Sequence, residues 1–325
     1  MRCTWSVRRN VAERRITREG VRRTDQVEPA PCSYRRTGSI PLFLVLGWCG
    51  AVFAGEPKVK AFVSLPPQAY LVARVGGPLV EVEALVGPGQ NPHTFEPTPK
   101  QMARLAEAEV YFRIGLPFEE RLVERIAATF KNLRIVDTRK GIELRAMTEH
   151  DEDEPHHGAG EPDPHIWLDP IRLKTQARTI CGALSQMDPP DARTFERNLS
   201  SLESDLDRVH EKIAAALAPL RGRSFFVFHP AFGYFADRYG LKQVPVEVAG
   251  KEPSGRNLAR LIAEAKRQDV KVVFVQPQFS AKSAEAVAAG IGGAVVPLND
   301  LAYDCVGNLE AIATALEKCL AGVVK

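Results

Sequence analysis

No Cys-x-x-Cys pair occurs anywhere in the chain, although it holds six cysteines. A thiolate zinc knuckle needs that spacing, so paired sulfurs are excluded as a metal site. Also missing are a Gly-x-Ser-x-Gly elbow, a phosphate-cradling glycine-rich loop and a His-Glu-x-x-His helix. No apolar run reaches the roughly 20 residues of a membrane-spanning helix. The nearest, Ile40–Ala54, is short and interrupted by small residues. Lysine is absent from residues 1–54, where ten arginines face four acids. Of 43 basic and 40 acidic residues, the rest of the chain keeps 33 and 36, so the net +3 belongs to the leader. No nucleic-acid partner is inferred from it.

That leader has the order of a secretory signal. Arg35 and Arg36 precede the apolar run, and Val52-Phe53-Ala54 offers a small-residue cleavage site. The competing reading is a buried core segment. Residues 1–54 are taken as a basic leader and secretion signal, which makes the mature chain periplasmic or otherwise extracytoplasmic. Leu46-Gly47-Trp48-Cys49 is a poor lipidation site because Trp48 is bulky beside the cysteine. Beyond Ala54 remain Cys181, Cys305 and Cys319. Export would allow two of them to oxidise, with Cys305 and Cys319 the favoured pair. Alternatively all three are buried small hydrophobes.

The 325 residues suit about two domains. Lys58–Ser64, Val80–Val86, Glu109–Ile114 and Leu133–Val136 read as strands, separated by helical patterns at Pro66–Val75, from Thr98 onward, and at Phe118–Phe130. Thr98-Pro99-Lys100-Gln101 has the form of a capped helix start. A second series follows: strands at Ser224–Phe228, Val244–Val248, Val270–Val275 and Ala294–Pro297. Helices alternate with them at Pro230–Tyr239, Asn257–Arg267, Ala281–Gly290 and Asn308–Ala321. Strands alternating with helices imply parallel sheets covered on both faces. Between the series, Leu199, Leu202, Leu206, Val209 and Ile213 form one stripe in Pro190–Leu220. Such a helix would span roughly 45 Å and suits a strut. The expected fold is α/β, with two lobes of parallel sheet flanked by helices, joined by one long rigid helix. The expected boundaries are 55–189, 190–221 and 222–325. The acidic stretch Thr148–Asp163 has no apolar period and reads as a mobile loop. Its His150, His156 and His157 would collect cations weakly, or the stretch is merely a solvated loop.

Three histidines share one context, a proline neighbour close to a sheet element: His93 in Asn91-Pro-His-Thr-Phe-Glu-Pro97, His165 in Asp163-Pro-His-Ile-Trp-Leu-Asp-Pro170, and His229 in Phe226-Val-Phe-His-Pro230. Neutral imidazole is a common zinc ligand, and its second nitrogen usually donates to a carboxylate or carbonyl. Glu96 and Asp169 are near enough in sequence to serve. Spacing alone leaves open a catalytic zinc with three ligands and a water, as in a secreted hydrolase. That reading needs a general base, and no carboxylate stands out as one.

The three histidine segments, together with Phe228-His-Pro-Ala-Phe-Gly-Tyr-Phe-Ala-Asp-Arg-Tyr-Gly-Leu241, Val246–Ser254 and Val273–Ser280, resemble the zinc and manganese solute-binding proteins of ABC transporters. The resemblance runs from about Lys58 to the C-terminus. It implies two α/β lobes on a long helix, a metal between them, and a non-catalytic, monomeric receptor serving a membrane permease. The family's first three ligands fall on His93, His165 and His229. Manganese-type members tend to carry glutamate at the His229 position, so zinc is implied, with manganese the alternative. The family's fourth ligand is an aspartate in a segment that here reads Leu298-Asn-Asp-Leu-Ala302. Plain alignment selects Asn299, but charge favours Asp300, which is taken as the fourth ligand. Water and Asp304 are the other options.

Overall fold

Among the described residues, valine- and phenylalanine-rich runs such as Val59–Val63 and Val272–Val275 form strands, and the leucine stripe at 202–217 forms a helix. The computed structural model describes residues 59–147, 162–247 and 253–322. The expected leader, the acidic loop from 148 to 161, and part of the Val246–Ser254 segment lie outside them. No helix among the described residues is long and apolar enough to cross a membrane.

The first half runs β1 (Val59–Val63), α1 (Pro66–Gly76), β2 (Val80–Ala84), α2 (Pro99–Leu105), β3 (Val110–Arg113), α3 (Pro117–Thr129) and β4 (Arg134–Asp137). These strands form a parallel sheet in the order β2-β1-β3-β4. Prolines open all three helices at their first positions, where an N–H would lack a partner anyway. Thr98 caps α2 as expected, accepting from Gln101 N–H. Two helices follow, α4 (Pro170–Met187) and α5 (Ala192–Leu217). The second half runs β5 (Ser224–Val227), α6 (Gly233–Tyr239), β6 (Lys242–Pro245), α7 (Gly255–Arg267), β7 (Val272–Val275), α8 (Lys282–Ile291), β8 (Ala294–Pro297) and α9 (Cys305–Leu320). Its sheet is also parallel, in the order β6-β5-β7-β8.

The expected strut is α5. Its 26 residues span about 39 Å at 1.5 Å each. Phe195, Leu202, Leu206, Val209, Ile213 and Leu217 are buried along one stripe. They join an apolar core that is continuous from β1 and α1 to β5 and α9. One core therefore backs both sheets, and each fully buried leucine in it contributes about 1.5–3 kcal/mol.

The structure differs from the sequence reading at several points. β6 runs Lys242–Pro245 rather than Val244–Val248, because its pairing with β5 begins at Lys242 opposite Ser224. α9 begins at Cys305, three residues before the expected Asn308, where Asp304 caps it. α4 was not anticipated: its buried face is diluted by Gln176, Ala177, Cys181 and Ala183 among Leu173, Ile180 and Leu184. α6 begins three residues later than the expected Pro230, because Pro230 and Ala231 belong to the turn after β5. Cys305 and Cys319 cannot pair. Both lie on α9, about 21 Å apart along its axis, and all three cysteines are free. Asp163, placed in the acidic loop above, is fully buried.

Gln176 is 0 % exposed, and neither its amide oxygen nor its nitrogen has a partner among the described residues. An unsatisfied buried amide costs about 1–3 kcal/mol. Gln176→Leu is therefore expected to raise stability by about 1 kcal/mol or more, read as a higher urea midpoint with an unchanged slope.

Candidate metal centre

In both sheets the chain leaves the strands' carboxyl ends in loops, where ligand sites in parallel sheets gather. His93 stands in the loop between β2 and α2, His165 just before α4, and His229 two residues past the end of β5. The structure brings these three together. One ring nitrogen from each lies within 4.8 Å of the others. The Nε2 atoms of His165 and His229 are 3.1 Å apart, and the His93 ring centre is 5.4 Å from His165 and 4.7 Å from His229.

Two of the rings are fixed from behind. His165 Nδ1–H donates to Asp163 Oδ1 at 2.7 Å, and the same oxygen accepts the His165 backbone N–H at 3.0 Å. His229 Nδ1–H donates to Glu247 Oε1 at 2.7 Å. A carboxylate can only accept, so Nδ1 carries the hydrogen in both rings. In its neutral form each ring then presents a bare lone pair at Nε2. Two such lone pairs 3.1 Å apart repel unless a cation lies between them. Tetrahedral zinc, with nitrogens at about 2.0–2.1 Å, spaces its ligand atoms by roughly 3.3 Å. The donor set thus fits a cation of that size.

His165 and His229 are buried, whereas His93 is partly exposed and lines a cavity of about 520 Å³ with Phe95, Glu96, Phe118, Glu120 and Arg121. Burial, then the His229 and His165 rings, push its imidazole down to about 2. It is therefore neutral, the form that binds metal. Asn91 Oδ1 accepts the His93 backbone N–H at 2.9 Å, and Phe95 packs edge-on against Phe118.

Asp300 is also buried, 2 % exposed, but it lies outside the group whose ligand atoms converge. Its two carboxylate oxygens accept from Gln278 Nε2 at 2.9 and 3.0 Å. Burial pushes this carboxyl up, against the lowering effect of the Gln278 bonds. The alternatives point elsewhere. Asn299 is exposed, with its amide oxygen accepting from Leu301 N–H. Asp304 caps α9 through Gly307 N–H.

The expected partners Glu96 and Asp169 are replaced by Glu247 and Asp163. Asp169 is buried but serves another purpose. It caps α4 through Ile171 N–H and binds Arg172 and Arg238. Arg238 reaches it from α6, so the ion cluster ties the second half to the first. Tyr234, also on α6, donates to the Asp163 carbonyl at 2.8 Å and accepts Arg145 N–H at 3.1 Å. The Arg145 guanidinium and an Asp163 carboxylate oxygen pack close over Gly233. Gln276, fully buried, holds the His229 main chain from both sides: its Oε1 accepts the N–H at 3.2 Å, and its Nε2 donates to the carbonyl at 2.6 Å. Two signals for these residues were present in the sequence. Glu247 is a lone acid in the apolar run Val244–Val248, and Gln276 ends an apolar strand.

The profile of the family described as "ZnuA: Zinc-uptake complex component A periplasmic" matches residues 62–319. The chain belongs to this family. Among its curated relatives, the "High-affinity zinc uptake system protein ZnuA" of Bacillus subtilis (strain 168) is 31% identical over 233 residues, covering 68% of this chain and 72% of the relative. Among solved structures, a crystal structure of ZnuA superposes with a TM-score of 0.75 at 42% identity, covering 80% of this chain and 98% of that one. A ZnuA deletion mutant with zinc bound gives 0.74 at 41% identity, covering 80% and 97%. As a member of the zinc-uptake family, the chain is related to solute-binding receptors rather than to hydrolases.

Asp163 and Glu247 act through the histidines. Changing such an outer partner typically costs 10–100-fold in metal affinity. Glu247→Gln is expected to weaken zinc binding by about 10-fold or more, read by competition with a chromophoric chelator.

Proposed function

We propose that the chain captures one zinc ion between its two sheet-bearing halves and delivers it to the membrane permease of an ABC importer. The observation that carries this is the convergence of three imidazoles, two of them with Nδ1 committed to buried carboxylates. In this reading His93, His165 and His229 are ligands and Asp300 is the fourth. The segments 55–189 and 222–325 act as the two metal-binding lobes, with 190–221 as the connector. Nitrogen-rich sets suit zinc, whereas manganese favours oxygen donors. The receptor is taken to work without catalysis, in keeping with a family of zinc-uptake components. It acts as a monomer outside the cytoplasm, exported by residues 1–54.

The test is calorimetry on chelator-stripped protein, followed by uptake into vesicles carrying the permease. One tight zinc site per chain and zinc-dependent uptake are expected. Metal-dependent ester hydrolysis without tight, stoichiometric binding would point to the hydrolase instead.

A further inference from the structure

The Asp300 carboxylate is held by one donor. Both of its oxygens face a single atom, Gln278 Nε2, at 2.9 and 3.0 Å. Its main-chain carbonyl accepts from the indole Nε1–H of Trp167 at 2.6 Å. The backbone of Asp300 is thus tied to the segment bearing His165, and its side chain to the segment after β7. Two residues before Gln278, Gln276 fixes the His229 main chain. The short run 276–278 therefore controls both donors that the second half offers to the site.

Whether this carboxylate reaches the ion decides the chemistry of the donor set. Three imidazoles alone make a nitrogen site. With the carboxylate close, a hard oxygen joins them, and hard oxygens raise the relative affinity for manganese-like ions. An amide N–H shared by both oxygens keeps the carboxylate turned towards the glutamine. The group can still give one oxygen to a metal while the other stays bonded.

We propose that Gln278 is a positioning residue that limits how far the Asp300 carboxylate enters the coordination sphere, and so sets the preference between nitrogen-favouring and oxygen-favouring divalent ions. This rests on the three-histidine reading of the site. Without Gln278 the carboxylate turns freely and engages the ion more fully.

The experiment compares full-length Gln278→Ala, Asp300→Ala and the double variant, titrated with zinc, manganese and cobalt(II). In Gln278→Ala the ratio of manganese to zinc affinity is expected to rise by about 10-fold, the lower range for a residue acting through a ligand. The visible absorption of bound cobalt(II) is expected to change as well. In the Asp300→Ala background, removing Gln278 should alter neither. An unchanged ratio and spectrum in Gln278→Ala would overturn the proposal, and so would the same shift in the absence of Asp300. His165→Ala is measured alongside. If it binds zinc normally, the site reading itself fails. If it loses zinc while Gln278→Ala is silent, only the role of Gln278 fails.

Discussion

Replacing His165 by alanine is expected to weaken zinc binding by about 100-fold or more. Structural zinc sites bind with roughly 10–16 kcal/mol in total, so an even share for one of four ligands is about 3 kcal/mol. At 1.4 kcal/mol per decade that is about two decades. His165 should not fall below this share, because its ring is already fixed before metal arrives. Asp163 holds its Nδ1 and its backbone N–H, and Trp167 packs against the ring at 5.0 Å. The entropy of ordering this ligand is already spent in folding. His210 supplies the control: it lies on α5, bonded to Tyr239, and is not among the converging histidines. His210→Ala should bind zinc like the parent protein.

The second large effect concerns stability. Trp167→Ala is expected to destabilise the zinc-free protein by about 3–5 kcal/mol, the usual cost of deleting a buried large aromatic. Trp167 is 1 % exposed and belongs to the shared core. Its Nε1–H also satisfies the Asp300 carbonyl at 2.6 Å. Loss of that donor leaves a buried acceptor unpaired and adds about 1–3 kcal/mol if no water replaces it. Chemical denaturation of the stripped protein reads the change. A loss under about 1 kcal/mol would mean that the indole does not join the two halves as described.

The same residues explain how much could be read in advance. The strands were legible because valine- and phenylalanine-rich runs such as Val272–Val275 end sharply at proline, glycine or polar residues. The strut was legible because its stripe from Leu202 to Ile213 is uninterrupted. Helix α4 was not, since Gln176 sits in the middle of its buried face and small residues fill much of the rest. The histidines were legible through their proline neighbours. Their carboxylate partners were harder, because the pairing depends on register. Parallel pairing sets Val227 beside Pro245, so His229, two residues on, comes alongside Glu247, 18 positions away in the chain. No local pattern in the sequence reports that distance. Asp163 was obscured differently: in the sequence it follows a run of acids, yet Pro162 pairs with Ala146 and Asp163 itself is buried.

Rigidity follows from the same contacts. Arg238 on Asp169 and Tyr234 on Asp163 fasten α6 to the segment that carries His165. His165 and His229 therefore sit on one cross-braced block, while His93 stands in a separate loop and lines the cavity.

X-ray absorption at the zinc edge, on protein loaded with one equivalent of zinc, tests whether His93, His165 and His229 share one ion. A first shell of nitrogen and oxygen at about 2.0–2.1 Å is expected, with the outer-shell scattering of three imidazoles. A sulfur shell near 2.3 Å, or scattering from one imidazole or none, would contradict it.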